Sequence, residues 1–220
     1  MGYRTPFALM PDEECIDFET DVTAGELSAN DAYDLYLIAK GKDPKKYTLV
    51  CFMNLQFFFE DTGKLVWSEQ EKKNYISKWE QSVRAVWSYK ILKTLKDGRK
   101  IVLDFKFKTQ IEGFWLSDHW ELSVKKISQD FGQSSVTTFT GNSQLDDKDL
   151  NFAQKPSGEM QRGSTHEFGH MLGLDDEYTK GNVWINDKKS VMNNGEVVKG
   201  RHLTYFRNWL DKKLIKHKIQ

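Results

Sequence analysis

His166-Glu167-Phe168-Gly169-His170-Met171-Leu172-Gly173-Leu174-Asp175-Asp176 is the stretch from which the rest of this 220-residue chain is best read. In a helix, positions i and i+4 share a face, so His166 and His170 project their imidazoles toward one point. Imidazole nitrogen binds Zn²⁺ at about 2.0–2.1 Å. Glu167 follows His166 directly, where a carboxylate lies beside such a metal without ligating it and can take a proton from water. Hydrolytic zinc sites use three protein ligands and keep a fourth position for water. Gly173 falls three residues past His170, where helices commonly end on a left-handed residue. A chain that turns there can return Asp175, Asp176 or Glu177 to the metal. The spacing, ten residues after His166, selects Asp176.

The pattern His-Glu-x-x-His-x-x-Gly-x-x-Asp resembles the long zinc signature of the metzincin metallopeptidases. It is similar to the variant of snapalysin-like bacterial proteases, which carry aspartate where most members have a third histidine. Downstream, Ser190-Val191-Met192-Asn193-Asn194 resembles the metzincin methionine turn, which makes Met192 the hydrophobic floor of the site. The resemblance covers residues 159–194 and implies a zinc-dependent endopeptidase acting on a protein or peptide. It assigns Zn²⁺ to His166, His170 and Asp176, the general base to Glu167, and structural support to Gly173 and Met192. It also implies an α+β fold, with a metzincin-like twisted mixed sheet, an active-site helix, a backing helix and a C-terminal helix. Two positions depart from the pattern. Asn194 stands where several metzincins carry a tyrosine, and a carboxylate ligand makes the metal less electrophilic than a third histidine would.

Two other readings stay open on the sequence. In a gluzincin plan the third ligand is a glutamate farther along the chain, and Glu196 is the candidate. A non-catalytic binding module with a structural zinc is the other, and it requires four protein ligands.

The composition belongs to a globular protein, with 39% hydrophobic and 13% aromatic residues. Thirty-two basic and 32 acidic residues give zero formal charge, so no electrostatic footprint points to nucleic acid. A monomer is expected. No apolar run is long enough to span a bilayer. Cys15 and Cys51 allow one bridge or two free thiols. Met1 to Pro6 lack the basic start and apolar stretch of a signal peptide, and Pro6 breaks the myristoylation pattern. The expectation is a protein secreted or exported without a visible signal peptide, as a bacterial effector or toxin would be; a cytoplasmic location is the alternative.

Two regions are expected: residues 1–47 as an N-terminal extension or pro-like segment, and residues 48–220 as the zinc metallopeptidase domain. Residues 1–47 read as an irregular lead segment, acidic from Asp12 to Asp21, in which Ser28 to Lys40 reads as a short helix with Tyr33, Tyr36 and Leu37 on one side. An inhibitory role would use the segment Phe18 to Asp21 or the Cys15 thiol. Thr48 to Phe59 reads as a strand buried on both faces. Ser68 to Glu71 is a capping box opening a helix to Trp87, and Ile76, Trp79, Val83 and Val86 face its core side. Lys100 to Lys108 and Trp120 to Val124 alternate as strands, and Val136 to Thr140 as a shorter one. Gly141 to Gly158 reads as a solvated loop, in which Asp146, Asp147 and Asp149 lack known calcium spacing. Glu159 to Leu172 is the expected zinc helix, and Thr204 to Lys216 a last helix burying Phe206, Leu210 and Leu214. His119 and His202 could line a cleft or donate to a transition state but read as structural or surface histidines, and His217, in the basic tail, reads as inert.

Overall fold

The structure is a computed structural model, describing residues 2–42, 44–113, 115, 117–129 and 132–220. It is an α+β protein built on one curled mixed sheet of eight strands. The strand expected to be buried on both faces, β3 (Lys46–Glu60), is its centre. Along one side, β5 (Lys100–Ile111) pairs with it in parallel, and β4 (Lys90–Thr94) adds an antiparallel edge. The other side of β3 is shared. Its first half pairs antiparallel with β2 (Ala29–Lys40), which carries β1 (Glu13–Ala24) outside it. Its second half pairs in parallel with β6 (Trp120–Lys125), followed by β8 (Asn142–Asp146) and the edge strand β7 (Ser135–Thr137).

Helix α1 (Glu69–Trp87) packs across β5, and its capping box forms as read, with both Ser68–Glu71 bonds made. Helix α2 (Gly163–Met171) lies against α1, and α3 (Thr204–His217) closes the far end. No helix among the described residues is long and apolar enough to cross a membrane.

Residues 13–40 overturn the expected irregular lead segment and its helix. Tyr33, Leu35 and Leu37 point into the main core, while Tyr36 and Ile38 join a second cluster beneath Phe7 and Leu9. A strand covered on both faces has no polar face, so Tyr33, Tyr36 and Leu37 mimic a helical stripe in sequence. The sheet continues without a break from β2 into β3, so the division at residue 47 marks no gap in it. Cys15 is buried in that second cluster with its thiol donating to Asp17 O, and Cys51 lies in the main core; both are free thiols.

Two more boundaries move. Asn142–Asp146 is strand β8 rather than loop, because its backbone completes the ladder that β6 leaves open. The helix expected from Glu159 starts at Gly163, since Met160–Gln161 (β10) instead pairs with Ala153–Gln154 (β9) in a small hairpin.

Candidate metal centre

Helix α2 is held by the face opposite its histidines. Phe168 is fully buried and meets Trp79, Trp87, Phe105 and Phe107 edge to face. Such a buried aromatic is worth about 2–3 kcal/mol in area alone. Trp87 Nε1 also donates to Thr165 O at 3.0 Å. With this side fixed, His166 and His170 turn toward the opposite side, as their four-residue spacing requires.

The third group arrives through Gly173. Its φ of 77° is the left-handed value that ends the helix. A Cβ there would stand 2.0 Å from Ala24 O, so the β1–β2 turn seals against it. Leu27 N–H completes this seam by donating to Gly173 O at 2.9 Å. Beyond the turn, Asp176 Oδ1 lies 3.1 Å from His166 Nε2 and 3.3 Å from His170 Nε2. The sequence-selected trio is therefore brought together, and Asp175 and Glu177 are not part of it.

The hydrogen bonds behind the imidazoles fix which nitrogens face Asp176. His166 Nδ1 lies 2.8 Å from Val191 O, and His170 Nδ1 lies 2.8 Å from Leu174 O. A carbonyl can only accept, so each Nδ1 carries the proton and each Nε2 presents a lone pair to Asp176. Three acceptors facing one another repel unless protons or a cation sit between them. Two Zn²⁺ ligands at tetrahedral positions lie about 3.3 Å apart, which these separations match. The donor set fits Zn²⁺. Burial acts to raise the Asp176 pKa, but the adjacent imidazoles, with Tyr178 contributing, drive it well down. Proximity to Asp176 raises His170 against the opposing effect of its own burial.

A second grouping of Asp21, Asp34 and His119 fails the same chemical criterion. His119 Nδ1 accepts from Asn54 N–H at 2.8 Å, so Nε2 carries the proton and faces Asp34 Oδ1 at 3.3 Å. That is a structural hydrogen bond. It leaves no lone pair for a metal.

Glu167 is 8% exposed, and its Oε2 has no hydrogen-bond partner among the described residues. Burial raises its pKa. It opens into a cleft of about 370 Å³, also lined by His166, Tyr178, Ser134, Asp149 and Asn194. Tyr178 stacks on His166 with ring centroids 6.0 Å apart. The sequence directed attention to Asn194, but the tyrosine at this centre is Tyr178, two residues after Asp176.

Beneath the trio, Met192 is fully buried, and a Cβ on Gly169 would come within 2.1 Å of its Sδ. Gln161 clamps the methionine turn, its side-chain amide donating to Val191 O and Gly195 O at 2.9 Å each. Glu177 binds the Arg201 guanidinium at 2.7 Å and accepts from His202 Nε2 at 3.0 Å. Neither Gln161 nor the Glu177–Arg201–His202 cluster had a sequence signal, since their partners are distant carbonyls and charges. His202 is structural, as read. His217, read as inert, bonds Asp17 at 2.8 Å. Glu196 is committed elsewhere: it pairs with Arg162 at 2.8 Å and accepts from Thr165 Oγ1, so the gluzincin alternative loses its ligand. Asp146 and Asp149 belong to no metal grouping among the described residues; they bond to nearby backbone and to Ser134.

No protein-family model matches this chain, and no curated protein matches it at a significant level.

Proposed function

We propose that this chain is a zinc-dependent endopeptidase of metzincin type. The reading is carried by the convergence of His166 Nε2, His170 Nε2 and Asp176 Oδ1 beside a buried carboxylate with an unpartnered oxygen. Catalytic zinc sites combine three protein ligands with an open position, and the described residues bring three such groups together. A structural zinc module would need a fourth donor there. When bound, Zn²⁺ would polarise the scissile carbonyl and lower the pKa of water at its open position.

The chain's own groups do the rest. Val191 O and Leu174 O fix the tautomer of each histidine. Glu167 accepts the proton from attacking water and returns it to the leaving amine, a role favoured by a carboxyl whose pKa burial has raised. Tyr178 helps keep Asp176 anionic and walls one side of the cleft. Met192 and the residues clamping it give α2 a firm base, which keeps the two imidazoles in register.

The test pairs metal analysis with proteolysis of a mixed proteome, comparing the parent with Glu167→Ala. The parent should hold one zinc and cut, and the variant should hold zinc and not cut. A zinc-loaded parent that cuts nothing, or a variant of undiminished activity, refutes the reading.

A further inference from the structure

The cleft beside Glu167 holds one charge that the hydrolytic scheme leaves unused. Lys155 lines it from the hairpin formed by β9 and β10. The hairpin fixes the lysine backbone: Lys155 N–H donates to Glu159 O, and Gly158 N–H donates to Lys155 O, each at 2.9 Å. Lys155 itself is half-buried. Among the described residues Lys155 is in no salt bridge. Neighbouring cations are matched, with Arg162 on Glu196 at 2.8 Å and Lys148 on Asp147 at 2.9 Å.

The other carboxyl in the cleft does not answer it. Asp149 is occupied by Ser134 Oγ and Asp146 N–H, and burial pushes its pKa up to about 7. The cleft that holds Glu167 is thus also lined by a lysine with no salt-bridge partner among the described residues. Hydrogen bonds to charged groups are the strong ones, and a partly desolvated cation gains most from a partner that arrives with the substrate.

We propose that Lys155 sets specificity by binding a carboxylate of the peptide substrate close to the scissile bond. The proposal rests on the peptidase reading. Two sources would supply that carboxylate: an acidic side chain flanking the cleaved bond, or the free C-terminus of a short peptide.

Matched peptides carrying Glu or Gln at each flanking position, with free or amidated C-termini, separate the two. They are assayed with the parent, Lys155→Met and Lys155→Glu. One carboxylate peptide should exceed its amide counterpart in kcat/KM by roughly tenfold in the parent. That preference should vanish in Lys155→Met and reverse in Lys155→Glu. A preference that survives amidation of the terminus identifies an acidic residue, whereas one abolished by amidation identifies the C-terminal carboxylate. Equal rates for every pair in the parent, or the same preference in Lys155→Met, overturn the proposal. Binding of the same peptides to zinc-loaded Glu167→Ala, with and without Lys155→Met, is read by fluorescence anisotropy. A parent that cleaves nothing then counts against the peptidase reading alone, while the binding ratio still decides the role of Lys155.

Discussion

The backbone N–H of Glu177 donates to the carbonyl oxygen of Met192 at 2.8 Å. This single bond joins the residue after Asp176 to the methionine beneath helix α2. The turn that delivers Asp176 and the turn that floors the site are therefore one mechanical unit. The Glu177 carboxylate extends the unit to Arg201 and His202, just before α3.

Asp176 should be required for the metal. Asp176→Ala is expected to weaken zinc binding by more than the 10–100-fold typical of supporting residues. Competition with a chromophoric chelator measures this directly. Unchanged affinity would move the third ligand to another residue.

Gln161 should matter without touching the metal. In Gln161→Leu the buried Gly195 carbonyl loses its donor, at a cost of about 1–3 kcal/mol, and Val191 O keeps only the bond from His166. Urea denaturation of the zinc-free protein should show that loss. Zinc affinity should fall too, because Val191 O orients His166. Unaltered stability would mean that the methionine turn is held by other contacts.

Gly173→Ala separates backbone strain from collision. Gly181 has a φ of 94° with nothing within 4 Å of an added Cβ, so Gly181→Ala should cost only about 1 kcal/mol of conformational strain. At Gly173 the same methyl group meets the Ala24 carbonyl as well. That variant should lose at least twice as much stability, together with zinc affinity. Equal losses in thermal denaturation would show that the β1–β2 turn yields freely.

Asp149 should give stability a falling slope with pH. Its folded pKa of about 7 stands above the ordinary 3.8, so the folded state keeps a proton that the unfolded chain has released. The stabilisation is whole below about 4 and is lost as pH rises through 7, a change of at most about 4 kcal/mol. Glu177, held at about 2 by its salt bridge, acts in the opposite sense: its contribution is present above the ordinary 4.5 and is lost on acidification. Asp149→Asn should therefore gain stability relative to the parent between pH 4.5 and 7.5, measured with zinc removed. A constant offset between the two proteins over that range would refute this.

Much of the site could be read in the residues themselves. The four-residue histidine spacing, the adjacent glutamate and a glycine one turn later depend on local helix geometry, which neighbouring residues determine. Helices α1 and α3 and the alternating strand β5 were legible for the same reason, each having one polar face to set its period. The β1–β2 pair was not. Its second face is covered by Phe7 and Leu9, a long-range contact that erases the polar–apolar contrast a sequence reader needs. Tyr178 was also missed, because its place on His166 depends on how the chain turns after Gly173.

The sequence alone determined that two imidazoles share a helix face with a carboxylate on the residue after the first, because 3.6 residues per turn bring positions four apart together. Only the tertiary structure decided that Asp176 meets both histidines, that Glu196 is occupied by Arg162, and that Lys155 faces the cleft. Those outcomes follow from a left-handed turn seated on Ala24, an ion pair and a hairpin. Each joins residues whose proximity exists only after the chain has folded.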